Sequence, residues 1–249
     1  MLGYAIAGVM FCFLYGFGLF AIAHHLGVKY TDILDSEENI KNGVLVPVGF
    51  MSAVLFAITV VSGWLPLVFR PAQTAHYNWM WIVPAIMLLS SLLRFKFARW
   101  SLFSIKARLY MLVGVLLVGF SEELLTRGIL VYFTQRAGAS QAIVMLVSAI
   151  VFGVLHGMNY FNGQDAKTTR LQIFLTAEMG LAFYISLIVS GTLWLPIFLH
   201  ALFDLSLMVQ GGKFNKNERK PQQWELGLTG AMYLSTVIAA IGVGVISWG

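Results

Sequence analysis

Eight apolar runs follow one another along the chain, separated by short polar breaks. Each is close to the ~20 residues a helix needs to cross the hydrocarbon of a bilayer. They predict spans near residues 2–24, 44–68, 79–93, 109–134, 141–160, 171–190, 193–210 and 225–248. The third is short, and only Gly191-Thr192 separates the sixth from the seventh. Inside the fourth run the pattern breaks at Phe120-Ser121-Glu122-Glu123-Leu124-Leu125-Thr126-Arg127, where three ionisable side chains crowd together. Each costs roughly 2.5–3.5 kcal/mol at bilayer depth on insertion scales. A segment serving only as an anchor would not carry that cost. The expectation is an all-α, polytopic membrane protein of about eight transmembrane helices, organised around an intramembrane polar site.

Composition sharpens this picture. The 249 residues are 59% hydrophobic and 11% charged, with mean hydropathy +0.80; soluble domains have about 45–50% apolar and about 25% charged residues. The breaks are too short for a separate soluble domain, so residues 1–249 read as a single membrane domain. The run Leu2–Leu26 exceeds a signal-peptide core and lacks a basic segment before it, so no cleavable leader is expected. A single cysteine, Cys12, excludes an internal disulfide and any cysteine-based zinc site.

The net charge of +5 is explained by topology, and no nucleic-acid partner is implied. The first, third, fifth and seventh loops carry Lys29 and Lys41; Arg94, Lys96, Arg99, Lys106 and Arg108; Lys167 and Arg170; and Lys213, Lys216, Arg219 and Lys220. The second and fourth carry only Arg70 and Arg136. The positive-inside rule then predicts a multi-pass protein of the cell membrane, with odd loops in the cytoplasm and both termini outside it. The acids Asp32, Asp35, Glu37 and Glu38 of the first loop read as solvated. Trp79, Trp81, Trp100, Trp194, Trp224 and Trp248 fit an aromatic belt at the span ends.

The other ionisable groups inside spans are His156 in the fifth, Glu178 in the sixth, and His200 and Asp204 in the seventh. Glu123 and Arg127 are i and i+4, so they share a helix face and can neutralise each other. Glu122 lies about 100° around the helix, with Thr126 as its own i+4 neighbour. It is the carboxylate left without an intrahelical cation, free to meet His156 or water as a general base. His200 and Asp204 also share a face, so Asp204 can orient the imidazole or help polarise a carbonyl. At about 1.5 Å per residue, Glu122 falls about 20 Å from the cytoplasmic end of its span, His200 about 15 Å, Asp204 about 9 Å and His156 about 6 Å. These levels converge in the inner half of the bilayer, with His156 and Glu122 the widest apart. Glu178 either joins the site or faces a separate polar pocket. His24 and His25 read as interfacial, and His76 as a loop residue.

Glu-Glu-x-x-x-Arg at 122–127, Phe-x-x-x-His at 152–156 and His-x-x-x-Asp at 200–204, in that order, resemble the three motifs of the CPBP family. These are the CAAX-prenyl-protease and bacteriocin-processing proteins, also called the ABI family of intramembrane proteases. Gly191-Thr192-Leu193-Trp194-Leu195-Pro196-Ile197-Phe198-Leu199-His200 is similar to the segment leading into the third motif. The resemblance implies a catalytic core over residues 110–210 and an endopeptidase acting on a membrane-associated protein or peptide. In that core Glu122 would activate water with help from His156. His200 and its Asx partner would stabilise the oxyanion, supported by Glu123 and Arg127. Prenyl proteases have Asn where this chain has Asp204, and an ionised Asp cannot donate to an oxyanion.

The cofactor stays open at this point: Glu122, His156 and His200 could form a three-ligand zinc site, and a metal-free mechanism is equally compatible. A prenylated substrate requires a host that makes one. Two alternatives stand beside the protease. One is a non-enzymatic relative giving bacteriocin immunity or regulating a partner membrane protein; the other is an ion or proton transporter, since buried Glu and His also serve as relays. Neither a Gly-x-Ser-x-Gly nucleophile nor a Gly-x-Gly-Asp aspartyl motif is present.

Overall fold

The computed structural model describes residues 2–70, 74, 78–211 and 223–248, which form helices and connecting turns with no strand among them. The chain runs through α1 (Leu2–His25), α2 (Glu37–Val61), α3 (Ile82–Lys96), α4 (Ile105–Arg136), α5 (Gln141–Leu155), α6 (Ala166–Ser190), α7 (Trp194–Gly211) and α8 (Gln223–Trp248). Six helical stretches, ending with α6, are long and apolar enough to span a bilayer; α7 and α8 add shorter apolar ones. The polytopic all-α architecture matches the hydrophobic pattern, including the boundary that rested on two residues. There Gly191 adopts a left-handed conformation (φ 67°), closes α6 by donating its amide to the Leu187 carbonyl, and lets the chain re-enter as α7 almost at once.

Helix starts follow ordinary capping chemistry. Ser104 and Ser140 accept from the Ala107 and Ile143 amides, and Asp165 from those of Lys167 and Thr168. The Asp165 side chain lies outside the spans, and its bonds to Thr168 and the first amides of α6 hold its carboxyl below the usual range.

Contacts between loops establish which ends lie together. The Tyr30 amide donates to the Asn162 carbonyl at 2.9 Å, joining the first and fifth loops. Ser104 donates to Glu37, joining the third to the start of α2. Arg99 N–H reaches the Val209 carbonyl near the end of α7 at 2.9 Å. On the opposite face Leu193 N–H meets the Phe69 carbonyl at 3.1 Å. Tyr4 packs on Phe133 with ring centroids 6.3 Å apart, and Gly242 approaches Trp79. The first, third and fifth loops and the end of α7 therefore share one face, and both ends of the described chain reach the other.

Arg94, assigned to a loop by the sequence pattern, is instead buried along the body of α3. It is 6% exposed, with its guanidinium on Ser90 Oγ at 2.6 Å and over the Phe203 ring at 4.8 Å. Lys213, Lys216, Arg219 and Lys220, together with His76 and the side chains of Trp224 and Trp248, lie outside the described residues. Trp79, Trp81 and Trp194 are exposed at helix ends, as a belt requires, while Trp100 stacks on Phe95.

Small residues set the spacing in the centre, as is usual where helices meet in lipid. A Cβ on Gly119 would stand 2.7 Å from the Ile197 carbonyl, so α4 and α7 touch backbone to backbone there. A Cβ on Gly153 would stand 2.6 Å from the Ile173 carbonyl, and the same holds for α5 against α6. These two close approaches bring the four polar-bearing helices α4 to α7 within side-chain reach of one another.

Candidate active site

The first motif does not lie on a uniform α-helix. From Leu124 to Ile129 the backbone widens into a π turn, a feature that recurs at functional sites. The Thr126 carbonyl accepts from Ser148 Oγ of α5 at 3.0 Å. Thr126 Oγ1 donates to the Glu122 carbonyl at 2.6 Å and accepts from Arg127 Nη1 at 2.6 Å. Thr126 thus serves the Glu122 backbone and leaves the Glu122 carboxylate uncommitted. Glu122 Oε2 is buried without a hydrogen-bond partner among the described residues.

Glu123 and Arg127 form an ion pair at 3.1 Å, both side chains fully buried. The pair is not self-contained, as spacing along one helix suggested. The same Glu123 oxygen, Oε1, accepts from His200 Nδ1 at 2.8 Å, so an Arg127–Glu123–His200 relay links α4 to α7. Two phenylalanines enclose it. Arg127 lies over the rings of Phe152 and Phe183 at 4.2 and 5.1 Å. His200 stacks on Phe183 at 4.7 Å and meets the edge of Phe152 at 5.7 Å. This explains the phenylalanine of the second motif: Phe152 packs against Arg127, His200 and His156 together, and its carbonyl receives His156 Nδ1 at 2.9 Å.

On its other edge, His200 Nε2 stands 3.6 Å from Asp204 Oδ2 and 3.8 Å from Glu122 Oε2. Both separations exceed a direct hydrogen bond, so Nε2 is held near two carboxylates without being consumed by either. Exposure grades the site. Arg127, Glu123 and His200 side chains are 0%, 0% and 5% exposed, whereas Glu122 and Asp204 are 23% and 33% exposed. A rigid, dry base therefore carries two carboxylates that a reactant can reach.

His156 caps the end of α5 and is half-buried. It interacts electrostatically with Asp204, and no hydrogen bond or ion pair joins it to Glu122 among the described residues, the pairing the depth estimate already strained. Glu178 points elsewhere: its neighbours are Thr236 and Tyr233 of α8. His24 and His25 are exposed at the end of α1. No three His, Cys, Asp or Glu side chains among the described residues are arranged to hold a metal ion. His200 Nδ1 on Glu123 and His156 Nδ1 on a carbonyl leave Nε2 as the open edge of each ring.

Two features escaped the sequence. One is the second duty of Glu123. The other is Tyr30, in the 3-10 helix Tyr30–Asp35 after α1. Its hydroxyl accepts from Gln172 Nε2 at 2.9 Å, and Gln172 Oε1 accepts from Asn159 Nδ2 at 3.0 Å. Tyr30 lies close enough to Asp204 and Glu122 to feel both charges. A lone loop tyrosine carries no sequence signal for this.

Residues 104–206, less than half of the chain, match the family model described as Type II CAAX prenyl endopeptidase Rce1-like. That stretch is an Rce1-like domain of the CAAX-protease family. It begins at the Ser104 cap of α4 and ends within α7, so it contains all seven named side chains of the three motifs. A search of curated proteins returned no match. The match covers the helices that carry the polar site and leaves α1, α2, α3 and α8 outside it.

Proposed function

We propose that the protein is an intramembrane endopeptidase that hydrolyses a peptide bond of a membrane-associated protein or peptide, with residues 110–210 as its catalytic core. The observation that carries this reading is the unpartnered Glu122 carboxylate beside a His200 ring locked by a buried relay. Glu122 takes a proton from water as the water oxygen attacks the scissile carbonyl carbon. With carboxylates facing both ring nitrogens, His200 carries protons on both. Nδ1–H is spent on Glu123, and Nε2–H is left to meet the developing oxyanion. Collapse of the tetrahedral adduct breaks the C–N bond, and Glu122 returns its proton to the departing amine. His156, with Nδ1–H on the Phe152 carbonyl, has Nε2 free to accept the second water hydrogen. Asp204 orients His200, and Glu123 and Arg127 hold it. No step passes through a metal.

The exposed edge of the site lies toward the face of the first, third and fifth loops, and their basic excess supports a cytoplasmic side there. Substrate would enter from there. The test is cleavage, in proteoliposomes, of an internally quenched peptide ending in a farnesylated CAAX tetrapeptide, beside its unprenylated counterpart. Glu122→Gln and His156→Ala, each checked for insertion, should both abolish cleavage. Full activity in both variants refutes the reading. The ratio between the two peptides tells whether the lipid is part of what is recognised.

A further inference from the structure

The proposed reaction leaves one requirement unmet. His200 Nε2–H is a single donor, and oxyanion sites usually combine two or more. Asp204 cannot be the second while ionised, because a carboxylate only accepts. The donor must come from a residue outside the three motifs, and it must reach the exposed edge where Glu122 and Asp204 lie.

Tyr30 lies outside the three motifs and within electrostatic range of Asp204 and Glu122. Its backbone is pinned by the amide bond to the Asn162 carbonyl. Its hydroxyl oxygen accepts the last link of a directed chain, Asn159 to Gln172 to Tyr30, drawn from three separate segments. That chain fills an acceptor position on the oxygen and leaves the hydroxyl proton to be given away. No hydrogen bond from the Tyr30 hydroxyl to a described residue takes that proton. Burial, reinforced by the charges of Asp204 and Glu122 and opposed by Gln172, raises the hydroxyl above the ordinary tyrosine range, so it stays protonated at neutral pH.

We propose that Tyr30 donates the second hydrogen bond to the oxyanion, supplying from the first loop the neutral donor that Asp204 lacks. Asn159 and Gln172 are positioning residues that aim it. The inference rests on the endopeptidase reading. It makes the first loop, whose acids looked merely solvated, the carrier of a catalytic residue.

The test is Tyr30→Phe, which keeps the ring and the backbone bond to Asn162 and removes only the hydroxyl. With the quenched peptide in proteoliposomes, kcat should fall about 100-fold, the usual loss for one oxyanion donor, while KM and the thermal midpoint stay at wild-type values. Gln172→Leu, which frees the hydroxyl without removing it, should lower kcat at least about tenfold and keeps the question open to measurement if the first variant fails to insert. A fall of less than about tenfold in kcat for Tyr30→Phe, or a loss carried by KM, overturns the assignment. The control is Glu122→Gln. If it still cleaves, the endopeptidase reading has failed; if it is dead while Tyr30→Phe is fully active, only the role of Tyr30 has failed.

Discussion

Replacing Glu123 by Gln tests the buried relay directly. The change keeps shape and an acceptor oxygen for His200 Nδ1 but removes the carboxylate paired with Arg127. The Arg127 side chain is fully buried; Nε and Nη2 lack hydrogen-bond partners among the described residues, and the guanidinium lies over the Phe152 and Phe183 rings. Removing one member of a buried pair typically costs about 3–5 kcal/mol, because the remaining charge is left uncompensated. At about 2–4 °C per kcal/mol for a chain of this size, the thermal midpoint in detergent should drop by roughly 6–20 °C.

The double variant separates a lost pair from a generally damaged core. Arg127→Met replaces the guanidinium with a side chain that also packs well against aromatic rings. Combined with Glu123→Gln it leaves no orphan charge, so the double variant should be more stable than Glu123→Gln alone. A double-mutant cycle should return a coupling of about 2 kcal/mol or more. Additive single effects, or a Glu123→Gln protein within about 1 kcal/mol of wild type, would show that the relay is not an ionised pair. Either result would remove the reason for His200 to hold its orientation.

Gly153→Ala should destabilise by about 1–3 kcal/mol, read as a lowered thermal midpoint, because the new methyl meets the Ile173 backbone and Ala177 of α6. Purified protein should hold no stoichiometric zinc by elemental analysis; one zinc per chain, lost in His200→Ala, would mean that the three motif residues rearrange to bind it. Asp165, depressed in the folded protein by its bonds to Thr168, stabilises above the unfolded carboxylate value of about 3.9, and this contribution fades as pH falls through the lower folded value. Asp165→Asn keeps the cap and should flatten that acid limb of the thermal midpoint against pH.

The spans were legible because an apolar run of fixed length has one physical reading in a bilayer, and because Gly191 can adopt the left-handed turn that lets two spans adjoin. The order and identity of the motif residues were legible for a similar reason: ionisable groups are expensive at that depth, so each stands out. Arg94 shows where such reasoning fails. A cation near the end of an apolar run looks the same whether it reaches water or folds back onto Ser90 and Phe203, and only the neighbouring helix decides.

The site itself required a third dimension. Spacing along α4 could show that Glu123 and Arg127 share a face, but not that α7 would offer His200 to the same oxygen. The π turn at Leu124–Ile129 compounds this, because it alters the helical register within the first motif. The Tyr30–Gln172 bond, 142 residues apart in sequence, lies further still from any local pattern. The costly charged residues mark the candidate site, yet their arrangement depends on neutral partners. Thr126 occupies the Glu122 carbonyl, Phe152 gives His156 its acceptor, and Gln172 donates to the Tyr30 hydroxyl. Such residues are inexpensive anywhere in a chain, so nothing in the sequence marks them.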